Sequence, residues 1–367
     1  MTPHGLVIGK FYPPHAGHHL LISTAAACSE RVTVLVLSHE VESIPHVDRL
    51  AWLREVHAAE RHVRFHGVID DHPVDFTDPA IWDLHEAVFR AGLATVTDEP
   101  VTAVFSSEDY GDELARRLGA VAVPVDAGRG MAPVSGTAVR ADPVGHWDDL
   151  APPVRAWFAR RVVVVGSEST GTTTVSRALA DALRARGGPH GLTQLVPEQL
   201  RATAISKLAA DRAAAVLDGI PPPAMEELTW RTDEMIAVAG AQNALEDAAA
   251  PLGGPVLVCD TDAFSVGIWH ERYLGAPDPS VNALARHHPL YLLTHHDGAP
   301  FVQDGYRDGE AIRPWMTERF EQELLATGRR HVCLRGSLDE RIQTALGAVD
   351  DLLEEGWDLA PPRLPRS

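Results

Sequence analysis

The chain is 367 residues long, which exceeds what one hydrophobic core ordinarily supports and predicts two domains. Its formal net charge of −19 at pH 7 argues against a broad nucleic-acid-binding face, because phosphate backbones are bound by basic surfaces. The 3 cysteines are far apart, which favours a reducing compartment. No apolar run approaches the roughly 20 residues of a membrane span. We therefore expect a cytoplasmic protein that binds neither nucleic acid nor membrane.

Short β-branched runs alternate with longer alanine-rich amphipathic segments, a pattern typical of parallel sheets covered by helices. The predicted strands are residues 5–8, 32–37, 101–105, 161–165, 256–259, 290–293 and 331–334. The pattern restarts at the fourth of these strands, shortly after Pro152 and Pro153 interrupt it. We predict two doubly wound, parallel-sheet α/β domains, residues 1–155 and 156–358, followed by a disordered tail at 359–367.

The stretch after the first predicted strand, GKFYPPHAGHHLLI at residues 9–22, has the composition of an anion-binding turn. Gly9 permits a tight turn, and Gly17 lets the first turn of the next helix approach a ligand closely. His15 and His18 share one side of that helix turn. An anion there would meet backbone N–H groups, the positive end of the helix dipole and imidazole donors. The stretch predicts a triphosphate site, although a lone histidine beside a turn is more often a surface residue.

This stretch resembles the first motif of the HIGH-type nucleotidyltransferase superfamily, and two later segments resemble its other motifs. Residues 106–111, SSEDYG, are similar to a loop that follows a strand, and residues 134–140, VSGTAVR, are similar to the I-S-x-T/S-x-x-R motif. The form GKFYPPHAGH is most similar to the NadR-type bifunctional family. In that family a nicotinamide mononucleotide adenylyltransferase domain of Rossmann-like fold precedes a P-loop ribosylnicotinamide kinase domain. The resemblance implies an enzyme of NAD biosynthesis.

The resemblance also implies roles for residues of the first domain. His15 and His18 contact the phosphates of ATP, Lys10 contacts the attacking or transferred phosphate, and Arg140 contacts the leaving pyrophosphate, with Mg²⁺ as cofactor. The other nucleotide-binding positions are Gly9, Phe11, Gly17, Ser106, Ser135 and Thr137. No covalent nucleophile is needed, because the substrate phosphate is already an anion and donors stabilise the charge that spreads onto the phosphates.

Three residues between these motifs have more than one interpretation. Arg49 and Trp52 resemble an R-x-x-W-L segment of the same superfamily, in which Arg49 contacts phosphate and Trp52 packs. Trp82 follows the acidic stretch at residues 70–71 and is either a stacking partner for the nicotinamide or a tryptophan of the helix core. The sequence predicts Trp82 as a substrate-binding residue and leaves the core interpretation open.

The second domain begins with a glycine-rich loop that lacks one expected residue. GSESTGTTT at residues 166–174 matches the phosphate loop G-x-x-x-x-G-K-S/T except at Thr172, where the pattern has lysine. Backbone N–H groups and the helix N-terminus survive this change, because they depend on Gly166 and Gly171 rather than on the missing side chain. Ser169, Gly171, Thr172 and Thr173 are predicted to bind nucleotide, and Thr173 keeps the position of a Mg²⁺ ligand.

Other parts of a small-molecule kinase follow in order, and the same resemblance supplies their roles. Asp260 is predicted to hold Mg²⁺ and Asp262 to accept the ribose hydroxyl or its proton, although a carboxylate after a strand is often a helix cap. Glu198 is a predicted ribose ligand and Arg201 a predicted phosphate contact. Arg307 is a predicted lid residue that closes over the phosphates. Either Arg307 or Lys207 is a candidate replacement for the absent lysine.

Three hypotheses about function remain open at the level of sequence. The first is a bifunctional enzyme that binds ATP, nicotinamide riboside and nicotinamide mononucleotide and makes NAD. The second keeps the adenylyltransferase and makes the other domain a nucleotide sensor, which Thr172 favours. The third is a different HIGH-type nucleotidyltransferase, against which the tandem arrangement argues. No helix-turn-helix precedes residue 5, so DNA-binding repressor activity is not expected, and both a monomer and a homo-oligomer stay open.

Overall fold

The computed structural model describes residues 1–75, 77–303 and 309–361. The chain divides into two compact units. The first unit comprises residues 1–154 together with the C-terminal segment that begins at Trp357, and the second comprises Arg155–Gly356. The division after Val154 lies beside the predicted one.

The first unit contains a parallel five-stranded sheet in the order β3-β2-β1-β4-β5. Its strands are β1 (Thr2–Gly9), β2 (Ser29–Ser38), β3 (Val63–Ile69), β4 (Ala103–Ser106) and β5 (Val121–Pro124). Its helices are α1 (Ala16–Cys28), α2 (His46–Val56), α3 (Pro79–Ala94), α4 (Tyr110–Leu118) and α5 (Gly136–Ala141), and α6 (Pro152–Phe158) crosses the division. Leu6 and Val7 of β1 are fully buried in two separate apolar clusters, one on each face of the sheet.

The second unit contains another parallel five-stranded sheet, in the order β10-β9-β6-β8-β7. Its strands are β6 (Arg160–Gly166), β7 (Gln194–Val196), β8 (Val256–Asp260), β9 (Leu290–Thr294) and β10 (His331–Leu334). Its helices are α7 (Thr172–Arg184), α8 (Gln199–Leu217), α9 (Thr232–Ala249), α10 (Ala263–Leu274), α11 (Pro279–Asn282), α12 (Arg313–Ala326) and α13 (Leu338–Glu354).

The predicted fold class of two doubly wound α/β sheets is confirmed, and each unit places its glycine-rich loop after the central strand. In both sheets the chain adds strands on one side of that strand and then returns to the other side. Ligands of such sheets bind where the strand order reverses, beyond the carboxyl ends of the strands. The loops after β1 and β6 lie at that edge. Within the described ranges, no helix has the length and apolar character needed to span a bilayer.

The described part of the predicted disordered tail is hydrogen-bonded to the first unit. The backbone N–H of Ala360 donates to the Ser43 hydroxyl at 2.7 Å, and the Tyr12 hydroxyl donates to the Ala360 carbonyl at 2.9 Å. Neighbouring side chains thus satisfy both backbone groups of Ala360, and disorder of the tail at 359–367 stays a prediction. Residues 362–367 of the predicted tail lie outside the described residues.

Candidate functional site

The turn between β1 and α1 leaves the helix N-terminus open to a ligand. His15 is the N-cap residue of α1 and has extended backbone angles, and its side chain makes no capping hydrogen bond. A Cβ atom on Gly17 would lie 3.2 Å from the His15 ring, so glycine lets that imidazole lie against the first helical turn. Phe11 has a positive φ of 48° and is buried, and its ring packs on His18. The predicted loop geometry is therefore present.

His15 and His18 form a buried imidazole pair. Their ring centroids are 3.8 Å apart, and the Nδ1 atoms of both rings are buried without a hydrogen-bond partner in the described parts of the chain. Burial lowers the pKa of His15 to about 4 and lowers the pKa of His18 well below its ordinary value. Unpartnered buried nitrogens are costly, and an anionic ligand would satisfy them.

These imidazoles line a cavity of about 320 Å³, which we call the phosphate cavity. Arg140 lines its other side, where the guanidinium donates to the Thr137 hydroxyl at 3.1 Å and to the Tyr12 carbonyl. The predicted site residues in its lining are Gly9, Lys10, Phe11, His15, Gly17, His18, Ser135, Thr137 and Arg140. The Ser135 hydroxyl caps α5 by accepting from the Ala138 N–H. The structure thus brings residues from two distant motifs to one cavity.

A second cavity, of about 310 Å³, adjoins the first, and we call it the base cavity. Trp82 and Phe89 of α3 give it an apolar wall, and Trp82 is 5% exposed. Lys10 lines both cavities, and Glu42, a buried carboxylate, holds its ammonium at 3.4 Å. Lys10 therefore occupies the junction between a cationic cavity and an aromatic one.

The base cavity also contains a carboxylate and two imidazoles that the sequence analysis did not assign. Asp70 accepts from His85 at 2.6 Å and from His72 at 2.9 Å. Burial alone would raise the pKa of Asp70, but the hydrogen bonds from His85 and His72 outweigh it and lower that pKa. The pKa of His85 is raised, chiefly by its hydrogen bond to Asp70. Helix spacing in α3 places His85 beside Trp82, which is the one signal that would have found it.

Two expectations for the first unit need correction. Ser106 does not line the phosphate cavity; its buried hydroxyl donates to the Glu108 carbonyl and closes the loop after β4, and Ser107 lines the cavity instead. Arg49 is 1% exposed, pairs with Glu42 at 2.9 Å and donates to the Lys10 carbonyl. It therefore packs against the loop after β1 and does not line the phosphate cavity.

In the second unit the loop after β6 has the backbone shape of a phosphate-binding nest. Gly171 is the N-cap of α7 with a φ of 90°, and Ser169 has a φ of 58°. A Cβ atom on Gly166 would lie 2.2 Å from the Thr294 hydroxyl and 2.9 Å from its carbonyl, so only glycine fits there. Alternating backbone angles of this kind turn successive N–H groups toward one point. The predicted anion site is present in its backbone geometry.

The hydroxyls that follow Gly171 contact a buried carboxylate at the end of β8. Asp260 is 3% exposed, and its Oδ1 atom is buried without a hydrogen-bond partner in the chain that the structure describes. Burial raises the pKa of Asp260, and hydrogen bonds from Thr173 and Thr172 act in the opposite direction. Thr172, which stands where the pattern has lysine, therefore acts with Thr173 against the effect of burial on the pKa of Asp260.

The cavity in front of this loop, which we call the kinase cavity, has an aromatic wall. Trp269 and Tyr273 of α10 stack at 5.8 Å, and Trp230 lies 5.8 Å from Tyr273. The predicted site residues in its lining are Gly166, Ser169, Gly171, Thr172, Thr173, Glu198 and Arg201. The sequence analysis did not predict the three aromatic residues, because a lone tryptophan or tyrosine is more often a core residue.

Asp262 is a second correction to the sequence analysis. Its carboxylate is fully buried, caps α10 by accepting from the Ser265 N–H at 3.1 Å, and accepts from the Tyr291 hydroxyl at 2.9 Å. It does not line the kinase cavity, whereas Thr261 does. The helix-cap interpretation of this carboxylate is therefore the right one.

The two candidate replacements for the lysine have different outcomes. Lys207 donates to both carboxylate oxygens of Glu234, at 2.7 and 2.8 Å, and its ammonium lies 5.1 Å from the centre of the Trp230 ring. It is therefore committed to that carboxylate and does not line the kinase cavity. Arg307 lies outside the described residues.

Comparisons with known proteins show which proteins this chain is similar to. The family described as "AAA domain" matches residues 161–341. The trifunctional NAD biosynthesis/regulator protein NadR of Salmonella typhimurium is 26% identical over 316 residues, which is 83% of this chain and 71% of that protein. The protein of the same description from Escherichia coli is 25% identical over 318 residues, with the same two shares. The chain is a homologue of the NadR proteins.

Solved NadR structures share the whole fold of the chain. A NadR protein in complex with NR aligns with a TM-score of 0.70 and 20% identity, covering 98% of each chain. A NadR protein in complex with NAD and AMP-PNP aligns with a TM-score of 0.69 and 20% identity, covering 99% of each chain. Both α/β units of the NadR fold are therefore present in this chain.

Proposed function

We propose that the chain makes NAD in two ATP-dependent steps, one in each unit. The second unit phosphorylates nicotinamide riboside to the mononucleotide, and the first unit transfers the adenylyl group of ATP to that mononucleotide, giving NAD and pyrophosphate. The homology to NadR proteins over 83% of the chain supports this assignment. The observation that carries it is the position of Lys10 between the phosphate cavity and the base cavity.

In the first unit, that position matches the geometry that adenylyl transfer needs. The nicotinamide lies against Trp82 in the base cavity, so the 5′-phosphate reaches Lys10 and attacks the α-phosphorus of ATP in the phosphate cavity. The bond from the α-phosphorus to the bridging oxygen breaks, and pyrophosphate leaves toward Arg140. His15 and His18 donate N–H groups to the phosphates as charge spreads onto them. Because their pKa values are low, both imidazoles donate in the neutral form at pH 7.

In the second unit, the residues present fit a magnesium-bound nucleotide. Mg²⁺ prefers oxygen ligands, and the unpartnered Oδ1 of Asp260 lies beside the hydroxyl of Thr173. When bound, the ion neutralises charge on the β- and γ-phosphates. The backbone N–H groups of the loop at residues 166–171 cradle the same phosphates. Asp260 and Thr173 would hold the ion.

The riboside occupies the rest of the kinase cavity. The nicotinamide ring is cationic and planar, and Trp230, Trp269 and Tyr273 offer π-faces that attract such a ring. Glu198 lines the cavity and accepts the ribose hydroxyl, which is the role that the buried Asp262 cannot perform. Arg201 contacts the transferred phosphoryl group from the opposite wall.

A second candidate function for this unit is nucleotide sensing without phosphoryl transfer. Thr172 favours it, since a neutral hydroxyl does not bridge the β- and γ-phosphates as a lysine ammonium does. The first function is preferred because the nest, Thr173 and Glu198 line one cavity, and Asp260 ends the strand β8 directly before Thr261, which lines it too.

The test separates the two reactions in one preparation. Purified chain is incubated with Mg-ATP and either nicotinamide riboside or nicotinamide mononucleotide, and products are resolved by chromatography over time. We expect the riboside to give mononucleotide and then NAD. Asp260→Asn should lower riboside phosphorylation more than about 100-fold and leave adenylyl transfer unchanged, because the carboxylate acts on charge in the transition state.

The matched control is Asp181→Asn, an exposed carboxylate of α7 that pairs with Arg184 at 2.8 Å. It should leave both reactions unchanged. NAD formation from the mononucleotide alone would favour the sensor, and failure of both reactions would overturn the proposal for the whole chain.

A further inference from the structure

The second unit binds phosphate without the lysine that such loops ordinarily have at position 172. Of the described residues that line the kinase cavity, Arg201 is the one with a cationic side chain, and it comes from α8 rather than from the phosphate loop. The front of the loop is therefore short of positive charge. The opposite side of the loop, which faces away from the kinase cavity, differs in charge.

Arg341 of α13 lies behind the loop and is 4% exposed. Its NH1 donates to the Thr170 carbonyl at 2.8 Å, its NH2 to the His295 carbonyl at 3.2 Å, and its Nε to the Gly336 carbonyl at 3.0 Å. Within the described ranges, no carboxylate oxygen lies within 4.0 Å of this guanidinium. Arg341 is a buried cation bound by carbonyl groups alone.

A second arginine contacts the adjacent peptide of the same loop. The NH2 of Arg313 donates to the Ser169 carbonyl at 3.3 Å and to the Ala299 carbonyl at 2.8 Å, and Arg313 is 8% exposed. Burial lowers the pKa of Arg341, and the charge of Arg313 acts in the same direction. Two guanidinium groups thus bind consecutive carbonyls on the outer face of the nest.

These contacts strengthen the donors on the inner face. The carbonyl of Thr170 belongs to the same peptide group as the N–H of Gly171. The carbonyl of Ser169 belongs to that of Thr170, whose N–H also donates to the Ser167 carbonyl at 3.3 Å. A cation on the carbonyl polarises the peptide group and makes its N–H a stronger donor, and this effect is larger at low local dielectric. A buried cation without a carboxylate is costly unless an anion comes near, which the nucleotide supplies.

We propose that Arg341 and Arg313 replace the missing lysine from behind the loop, binding the nucleotide phosphates through the peptide groups of residues 169–171. The inference rests on the proposed function only in that the second unit binds a nucleoside triphosphate. It requires no phosphoryl transfer. Both arginines are positioning residues, because they touch the loop and not the phosphate.

The test is a double-mutant cycle in the full chain, read by calorimetric titration with Mg-AMP-PNP. Binding to the second unit is the part of the isotherm that Asp260→Ala removes. Arg341→Met should weaken that binding about 10- to 30-fold, and Thr172→Lys alone should change it less than about 3-fold. Combined, the two substitutions should return binding to within about 3-fold of wild type, because the lysine restores from the front the charge that was lost behind.

A structural role of Arg341 would give additive effects instead, since a lysine at position 172 cannot satisfy the carbonyls that Arg341 leaves. Additive effects of Arg341→Met and Thr172→Lys on binding would overturn the proposal. It would also be overturned if Thr172→Lys restored the binding of Arg201→Met and not that of Arg341→Met. If Arg341→Met does not fold, Arg313→Met enters the same cycle with the same expectation. Arg330→Met, which removes an exposed arginine paired with Glu355, is the matched control and should leave binding unchanged.

Failure of the proposed function is distinguishable from failure of this inference. If the wild-type chain binds AMP-PNP in the second unit but does not phosphorylate the riboside, the proposed kinase activity is wrong. The double-mutant cycle can still be measured in that case. Adenylyl transfer by the first unit, assayed in each variant, verifies that the rest of the chain is intact. Binding of AMP-PNP in the first unit alone would overturn both.

Discussion

The two units place a cavity at the same point of the same kind of sheet but line it with different kinds of hydrogen-bond donor. Each loop follows the central strand and precedes a helix of 13 residues. The first loop turns two side chains, His15 and His18, into its cavity. The second turns backbone N–H groups into its cavity and has arginines on its outer face. The proposed functions need hydrogen-bond donors at both sites, and the two units supply them in different ways.

The two designs differ in how they respond to substitution. A side chain in the cavity acts directly on the phosphates, so its loss removes one donor and leaves the fold intact. A nest made of peptide groups depends on loop shape, and its charge comes from residues that never touch the ligand. The predictions below test this difference, beginning with the direct contact.

His18→Ala should lower the rate of adenylyl transfer at least about 100-fold, because one donor to the transition-state charge contributes about 2.7 kcal/mol or more. Riboside phosphorylation should not change, since it depends on the other unit. The measurement is NAD formation from mononucleotide and Mg-ATP, with mononucleotide formation from the riboside followed in parallel.

The control is the adjacent imidazole. His19 lies outside the phosphate cavity, and its Nδ1 is 3.0 Å from Nε2 of His57. His19→Ala should retain adenylyl transfer within a few-fold. If His18→Ala kept an activity within a few-fold of wild type, the proposed role of the loop after β1 in binding the ATP phosphates would be wrong.

The contrast between the two loops also explains what the sequence could predict. The sequence predicts most of the residues that line the phosphate cavity, because they lie within one short motif and in VSGTAVR. The sequence predicts the nest from Gly166 and Gly171, because the backbone geometry of the loop requires glycine at these two positions. The sequence could not predict the contact of Arg341 with the nest, because Arg341 and Thr170 are 171 residues apart and no local pattern links them.

The strands and the carboxylate role that the sequence analysis did not predict correctly also have physical explanations. Strands β3, β5 and β7 are short or half-exposed and lie at or toward the sheet edges, so they lack the continuous apolar run of a buried strand. Asp262 and Asp260 look alike in sequence, both following a buried strand. Only the structure shows that Asp262 turns back to cap α10 while Asp260 faces the loop.

Acid should destabilise the first unit more steeply than the second, because the imidazoles of its loop are buried. Burial lowers the pKa of His15 and of His19 to about 4, below the unfolded value of about 6.5. As the pH falls below about 6.5 the unfolded chain binds protons that the folded chain does not, so the free energy of unfolding decreases. At pH 5.5 each group should cost about 1 kcal/mol relative to pH 7.5.

The measurement is the thermal unfolding of the full chain at pH 7.5 and pH 5.5, resolved into the transitions of the two units. His15→Gln should reduce the pH dependence of the first transition. His287→Gln, at an exposed position of the second unit, should leave it unchanged. Equal acid sensitivity in wild type and His15→Gln would show that the buried imidazole is not its source.

The smallest effect is expected where the sequence suggested a catalytic carboxylate. Asp262→Asn keeps a side-chain oxygen that can accept from the Ser265 N–H, and asparagine is as good a helix cap as aspartate. Riboside phosphorylation should therefore stay within about 3-fold of wild type, while Asp260→Asn, two positions earlier, loses more than about 100-fold. If Asp262→Asn were as inactive as Asp260→Asn with an unchanged melting temperature, the buried carboxylate would have to reach the kinase cavity. In that case α10, which it caps, would have to move during the reaction.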